Sequence, residues 1–293
     1  MTGPGNFGMR TPGALEAVEG SARPTLTQPR GISGSRVVSW LIFAAGIFYF
    51  FLPLVATLLF SLRLQPLGKA YDNVLNHDPR FVSSLIYSGL VGLGTIAISI
   101  LLIVPTAYWV RLRVPRARPY VEFITLLPFV IPPVILVFSL LRAFSGPPFQ
   151  LSGSHEGLNV LVVCAYVILS YPYMYRAVDA GLRAIDVRTL TEAAQSMGAG
   201  WTRILWSVIL PNLRVALISG AFLTLAIVIG EYTIASFLVR PAFGPYLALL
   251  GRDKAFEPAA VTIISFGVTW LAMGLIAFLG RGSRQGVQLT GGR

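Results

Sequence analysis

Apolar residues run along this chain in long unbroken stretches rather than in alternation with polar ones. Six stretches reach the about 20 residues that a helix needs to cross roughly 30 Å of hydrocarbon. They lie near Val37–Leu62, Val82–Val110, Tyr120–Phe144, Leu158–Gly181, Asn212–Phe237 and Ala260–Gly280. None keeps a strict period of two, so the pattern predicts membrane helices and not barrel strands. Trp40, Tyr108, Trp109, Tyr120 and Trp206 fall near the ends of these stretches, where amphipathic rings settle at a lipid–water boundary. The expected fold class is all-α: a polytopic membrane protein with six transmembrane helices.

The polar positions set the topology. Residues 1–35 are rich in Gly, Pro, Ser and Thr and hold no apolar run, which predicts a disordered cytoplasmic tail. The first apolar stretch is too long for a signal peptide's core and ends in no small-residue cleavage site. Residues 36–281 form the expected membrane domain, and 282–293 a short cytoplasmic C-terminal tail. With both termini inside, sixteen of the 23 Lys+Arg fall on inner segments, the densest run being Arg111, Arg113, Arg116 and Arg118. That bias predicts a multi-pass membrane protein with six spans and both ends cytoplasmic.

Composition narrows the class further. With 55% hydrophobic and 12% charged residues the chain is not disordered, and a single cysteine, Cys164, excludes a disulfide scaffold. A formal net charge of +11 amid so much apolar surface argues against a soluble nucleic-acid binder, so no nucleic acid is expected as a partner; membrane lipid is.

The connection between the fourth and fifth spans carries a distinct pattern. Leu190, Ala193, Ala194 and Met197 recur at i, i+3, i+4 and i+7, one apolar stripe on a short helix. Asp186 or Thr189 is placed to cap its start, and Thr189 with Glu192 fits a T-x-x-E capping box. Gly198 and Gly200 permit a turn, and a second short helix is expected over Trp201–Val208, ahead of Pro211. A small apolar face on a hairpin tied to two membrane helices requires a partner, and motion of that partner would move both helices.

Glu192-Ala193-Ala194, three residues, Gly198, nine residues and then Val208-Ile209-Leu210-Pro211 resemble the EAA loop of bacterial ABC-importer permeases, with Val208 in place of the usual Ile. The resemblance extends over roughly Val37 to Gly280 and implies the methionine-importer-like permease fold with a cytoplasmic coupling-helix hairpin at 186–208. It implies that Leu190, Glu192, Ala193, Ala194, Met197, Gly198 and Ala199 form the surface that docks into a groove of an ABC ATPase. Glu192 either pairs with a basic residue of that ATPase or caps its own helix. The implied partners are two copies of the ATPase, a second permease subunit (a sibling chain rather than a second copy, although a homodimer stays open) and a periplasmic or lipoprotein solute-binding protein. The chain contains no G-x-x-x-x-G-K-[ST] phosphate loop. It is therefore expected to be no enzyme and to bind no cofactor itself, ATP and Mg being used by the partner ATPase.

Proline and polar residues inside the spans mark candidate pathway positions, because irregular backbone at membrane depth is tolerated only against protein or water. Pro128, Pro132 and Pro133 should break or kink the third span. Glu231 and Tyr232 in the fifth span, and Tyr171 and Tyr175 in the fourth, are the candidate solute contacts. An acid in an apolar span is a functional hypothesis by default, although Glu231 also suits a structural role toward an arginine or a backbone amide. The proline-rich third span and the Gly-Glu-Tyr element of the fifth resemble the spermidine/putrescine-type branch, which implies polyamine transport. Sulfate or molybdate, ferric iron and phosphonate remain open, and the outer segments carry seven Lys+Arg against five Asp+Glu, which disfavours a cation.

Other polar residues read more simply. Arg176 and Asp179 are spaced for an i, i+3 ion pair, and Glu122 for an interfacial position. His77, His155 and one cysteine do not make a zinc site, so no metal site is expected. A secondary transporter would need coupling-ion carboxylates at mid-bilayer, where only Glu231 comes near. A membrane enzyme would need paired acids or a nucleophile constellation, and the sequence offers neither.

Overall fold

The computed structural model describes residues 34–281, so the expected tails at 1–35 and 282–293 fall outside the described residues except for Gly34 and Ser35, which open the first helix. Among the described residues there is no strand. The chain divides between Phe51 and Leu52 into two compact units. Helix α1 (Gly34–Ser61) begins in the first and ends in the second, and its apolar stretch Val37–Ser61 is long enough to cross a membrane.

The second unit is built on three long helices. These are α3 (Pro79–Leu112), reached through the short α2 (Lys69–Leu75), then α6 (His155–Arg183) and α10 (Arg214–Gly230). Between α3 and α6 lie α4 (Arg118–Val130) and α5 (Pro133–Ala143). Between α6 and α10 lie α7 (Val187–Ser196), α8 (Trp201–Ile204), a π-helical turn over Leu205–Ile209, and α9 (Leu210–Asn212). After α10 come α11 (Thr233–Phe237), α12 (Phe243–Asp253) and α13 (Glu257–Arg281).

Helices α3 and α6 run parallel. The Tyr87 hydroxyl donates to Asn159 near their starts at 2.7 Å, and Arg111 faces Asp179 near their ends at 4.0 Å. Helix α10 runs against both. It approaches α6 closely because the crossing residues are small: a Cβ on Gly181 would lie 2.6 Å from that of Ala216, and one on Gly220 would lie 2.7 Å from the Met174 sulfur. Small residues at such crossings bring the backbones into van der Waals contact, which drives helix association where lipid competes equally for apolar side chains. Buried apolar residues gather in separate clusters along the bundle. One, with Tyr108, Met174, Leu182, Ile204 and Ile209, lies at the end carrying α7. Another, with Val137, Leu161, Tyr166, Val228 and Ile234, lies toward the opposite end, where a third joins Phe81, Phe243, Tyr246 and Val261.

Two of the expected spans are broken rather than continuous. The third divides into α4 and α5, which meet at 99°. Pro128 stays inside α4; the break falls at Ile131, whose ψ of 116° is the extended backbone that a following proline imposes, and Pro133 then occupies the first turn of α5. The fifth expected span, Asn212–Phe237, starts after a 77° bend between Trp201–Asn212 and α10, and it stops at Gly230. Its last residues form the separate helix α11, packed on α5 with the Phe138 and Phe237 rings 5.1 Å apart. Among the described residues, three helices qualify as crossings by length and composition, or five when each bent pair counts as one. Helix α13 (Glu257–Arg281) takes the place of the sixth expected span, Ala260–Gly280.

Candidate functional site

The hairpin that the sequence singles out is a rigid, capped element. The Asp186 carboxylate accepts the Thr189 backbone N–H at 3.2 Å and its hydroxyl at 2.8 Å, and these bonds hold the acid below the usual carboxylate range. The cap is therefore Asp186. The expected Thr189–Glu192 box does not form, because Glu192 is drawn instead to the guanidinium one turn back, Arg188, at 2.8 Å. At the other end Gly198 adopts a left-handed φ of 80°. Its N–H bonds Gln195 O at 2.9 Å and the Ala199 N–H bonds Ala194 O at 3.0 Å, a Schellman stop for which glycine is the least strained residue. The second helix of the hairpin is shorter than Trp201–Val208: after Ile204 the backbone widens into the π-helical turn.

The apolar stripe is divided by the fold. Helix α7 turns Val187, Thr191 and Ala194 inward, at i, i+4 and i+7, and Ala194 is only 3% exposed. Leu190 and Ala199 are half-buried, while Glu192, Ala193, Met197 and Gly198 are exposed. Ala194 thus packs into the chain's own cluster with Ile204 and Ile209 instead of facing outward with Ala193. The inward face is anchored by chemistry absent from the stripe. Thr191 donates its one hydroxyl proton to Val187 O at 2.7 Å, so Tyr108 of α3 donates to Thr191 at 3.0 Å. Trp201 lies against Tyr108 and Trp109, with the Arg113 guanidinium 4.8 Å from its ring centroid. The hairpin is thereby fastened to the end of α3 as well as to α6 and α10. Outward it presents Met197, 81% exposed, beside Ala193 and the Arg188–Glu192 pair.

Next to the hairpin an ion-pair network ties three helix ends together. Asp179 of α6 accepts Arg118 of α4 at 3.2 Å, faces Arg111 of α3 and bonds Arg183 one turn along. Glu122 accepts Arg118 at 2.8 Å and lies 3.7 Å from Arg183. The expected Arg176–Asp179 pair is not made: Arg111 of α3, Arg118 of α4 and Arg183 one turn along α6 surround the carboxylate instead. Spacing within α6 allows Arg183 at i+4 but gives no sign of Arg111 and Arg118, whose arginine-rich run was legible only as a topology signal.

The four candidate pathway residues do not converge. Tyr171 and Tyr175 stack on one another with centroids 6.5 Å apart and belong to the cluster at the hairpin end. Glu231 sits at the opposite end, in the gap between α10 and α11, with an extended ψ of 127°. Its carboxylate accepts the Ile234 N–H at 2.9 and 3.0 Å, the Ala235 N–H at 3.2 Å and the Tyr166 hydroxyl at 3.1 Å. It therefore caps α11 and joins it to α6, while Tyr232 beside it is exposed. Sequence reasoning missed Tyr166 as the partner, and it counted Arg240 only as a loop charge. Arg240 is in fact buried beside Asn159.

A bundle of apolar helices that carries a capped hairpin, braced on three membrane helices and open on one face, is the architecture of a transport permease. The chain belongs to the family described as "Binding-protein-dependent transport system inner membrane component", which it matches over residues 99–285. It is 28% identical over 257 residues to the "Putative 2-aminoethylphosphonate transport system permease protein PhnV" of Salmonella typhimurium (strain LT2), covering 84% of this chain and 93% of that one. To the "Ferric transport system permease protein FbpB" of Actinobacillus pleuropneumoniae it is 27% identical, over 48% of this chain and 19% of that one. Its fold matches a solved bacterial ABC transporter involved in the import of the acidic polysaccharide alginate, with a TM-score of 0.59 at 20% identity over 85% of this chain and 96% of that one. The protein is thus the permease component of a binding-protein-dependent ABC importer, a class that works with an ATPase and a binding protein.

Proposed function

We propose that this chain forms one half of the solute pathway of the importer and takes its driving force through the exposed face of α7. The observation that carries this is the hairpin at 186–208: it is braced inward on α3 by Tyr108, Thr191 and Trp201, and it presents Ala193, Met197 and Gly198 outward. A partner that moves this face moves α6 and α10 with it, since α7 follows α6 after three residues and the bend at Asn212 leads directly into α10. Two ATPase copies, each using ATP and Mg, close and draw two such hairpins together; the second hairpin belongs to a sibling permease. The hairpin end is cytoplasmic and both termini lie on that side, which puts the Arg240 end on the outer face, where a binding protein delivers solute.

The solute is an anion bearing an oxyanion group, of the phosphonate kind. A relative that covers 84% of this chain is named for 2-aminoethylphosphonate, and nothing supports the polyamine expected from the third and fifth spans.

The coupling role is tested with Met197→Asp in the assembled complex. The Met197 side chain is exposed and its backbone N–H, which bonds Ala193 O at 3.3 Å, is untouched by the substitution, so the variant keeps its melting temperature to within the small cost of a carboxylate at a helix C-terminus. It loses about tenfold in co-purified ATPase and in uptake, the effect of removing one interface anchor. A Met197→Asp complex that retains its ATPase and transports at the native rate refutes docking through this face.

A further inference from the structure

Helix α11 ends as α7 does. The Arg240 N–H bonds Ala235 O at 2.8 Å and the Val239 N–H bonds Ser236 O at 3.1 Å, the same paired stop seen at Gly198. Here the left-handed position, φ 53°, is held by a valine that is 80% exposed. A β-branched residue in that conformation is strained, and such strain persists where the surroundings over-determine it, often beside a ligand. An apolar residue usually follows such a stop. Here it is Arg240, turned inward and 7% exposed.

The charge of Arg240 is not compensated. Its Nε donates to Leu238 O at 2.9 Å, and its Nη1 donates to His155 O at 3.1 Å and Asn159 Oδ1 at 3.2 Å. These acceptors are all neutral. Among the described residues no carboxylate pairs with it, and the nearest acid in sequence, Glu231, is occupied by α11 amides and Tyr166. A buried cation held only by dipoles is costly and gains from a counter-ion.

The surroundings select the sign of that counter-ion. Arg240 lines a cavity of about 420 Å³ together with Tyr232, Ser236 and Arg252, and no Asp or Glu contributes to its wall. Arg252 is exposed and has no ion-pair partner among the described residues, and the Ser236 hydroxyl is buried without a hydrogen-bond partner there. Arg80, by contrast, lines a smaller adjoining cavity but forks onto Asp78 at 3.0 and 3.1 Å and is neutralised. Two guanidiniums and a free hydroxyl around a cavity of small-molecule size match an oxyanion's acceptor oxygens and repel a polycation.

We infer that this cavity is an anion vestibule in which Arg240, Arg252 and Ser236 hold the phosphonate or equivalent oxyanion group of the solute, an assignment that rests on the importer function proposed above. Arg240 is the buried anchor fixed by the α11 stop; Arg252, at the end of α12, closes the second side.

The test uses the assembled complex in nanodiscs, with sodium methylphosphonate as the probe and its phosphorus NMR line width as the readout. Wild type broadens the signal saturably, molybdate and inorganic phosphate compete, and spermidine does not. Arg252→Gln and Ser236→Ala, whose side chains hold no bond of the fold, keep the melting temperature and weaken binding about fivefold or more; Arg252→Lys keeps most of it. Arg240→Gln abolishes binding if the variant folds, and the Arg252 and Ser236 variants decide the matter if it does not. Equal broadening by wild type and Arg252→Gln, or competition by spermidine at the same concentration as phosphate, overturns the vestibule. ATPase retention, scored in the same samples, separates the two levels. A complex that holds its ATPase and ignores the probe loses the vestibule alone. A chain that binds the probe but recruits no ATPase loses the importer function and, with it, the solute's reason to be there.

Discussion

Replacing Glu231 by alanine removes every bond that closes the gap between α10 and α11. The Ile234 and Ala235 amides lose their acceptor, which for a capped helix start costs about 1 kcal/mol. The Tyr166 hydroxyl, in a residue only 1% exposed, loses its partner at 3.1 Å, and an unpaired buried donor costs about 1–3 kcal/mol. The expected total is about 2–4 kcal/mol, without counting any change in α5 packing. Glu231→Gln keeps one carbonyl oxygen for the amides and should cost no more than about 1 kcal/mol. Adding Tyr166→Phe to Glu231→Ala removes the orphaned hydroxyl and should recover about half of the loss, a coupling that a double-mutant cycle reads directly. Thermal unfolding of the purified protein in detergent, followed by tryptophan fluorescence, ranks Glu231→Ala, Glu231→Gln, Tyr166→Phe and the double variant. If Glu231→Ala and Glu231→Gln melt together, or if Tyr166→Phe recovers nothing, the capping role is wrong. Because Glu231→Gln remains folded, its uptake isolates any contact with solute.

Asp179→Asn should destabilise by about 1–3 kcal/mol, below the cost of a fully buried pair because its arginines are 32–54% exposed while the carboxylate is 13% exposed. The loss should exceed that of Arg176→Gln and shrink in 1 M salt (Debye length about 3 Å); melting curves with equal losses for the two variants would remove the network. Gly181→Val overpacks the α6–α10 crossing at Ala216 and should cost about 1–3 kcal/mol, with Ala216→Gly restoring part of it. A Gly181→Val protein that melts like wild type would show that the crossing has slack.

The fold was largely readable before any coordinates because membrane insertion acts on local composition. Long apolar runs announced the spans, Pro132 and Pro133 announced the break in the third, and the spacing from Glu192 through Gly198 to Pro211 marked the hairpin. The site was less readable wherever one residue type suits two environments. Ala193 and Ala194 are chemically identical, and only the placement of Ile204 and Ile209 buries the second and leaves the first outside. Helix period alone put Leu190 and Met197 on the same stripe, yet the inward row is Val187, Thr191 and Ala194, drawn by the hydroxyl of Tyr108 from a helix 83 residues away in sequence.

Hydrophobic partition and the conformational limits of proline and glycine are local properties, so the chain alone pointed to a helical membrane permease, to the break at Pro132 and Pro133 and to the hairpin at 186–208, whereas the bend at Asn212 and the stop at Gly230 were left to the packing. Charge and hydrogen-bond partners are chosen by proximity across the bundle. The tertiary structure therefore decided that Asp179 serves Arg118 and not Arg176, that Glu231 closes a helix start on Tyr166, and that Arg240 enters the interior with no acid to meet it. A side chain's sequence neighbours fix its reach, but only the packed helices determine which partner lies within it.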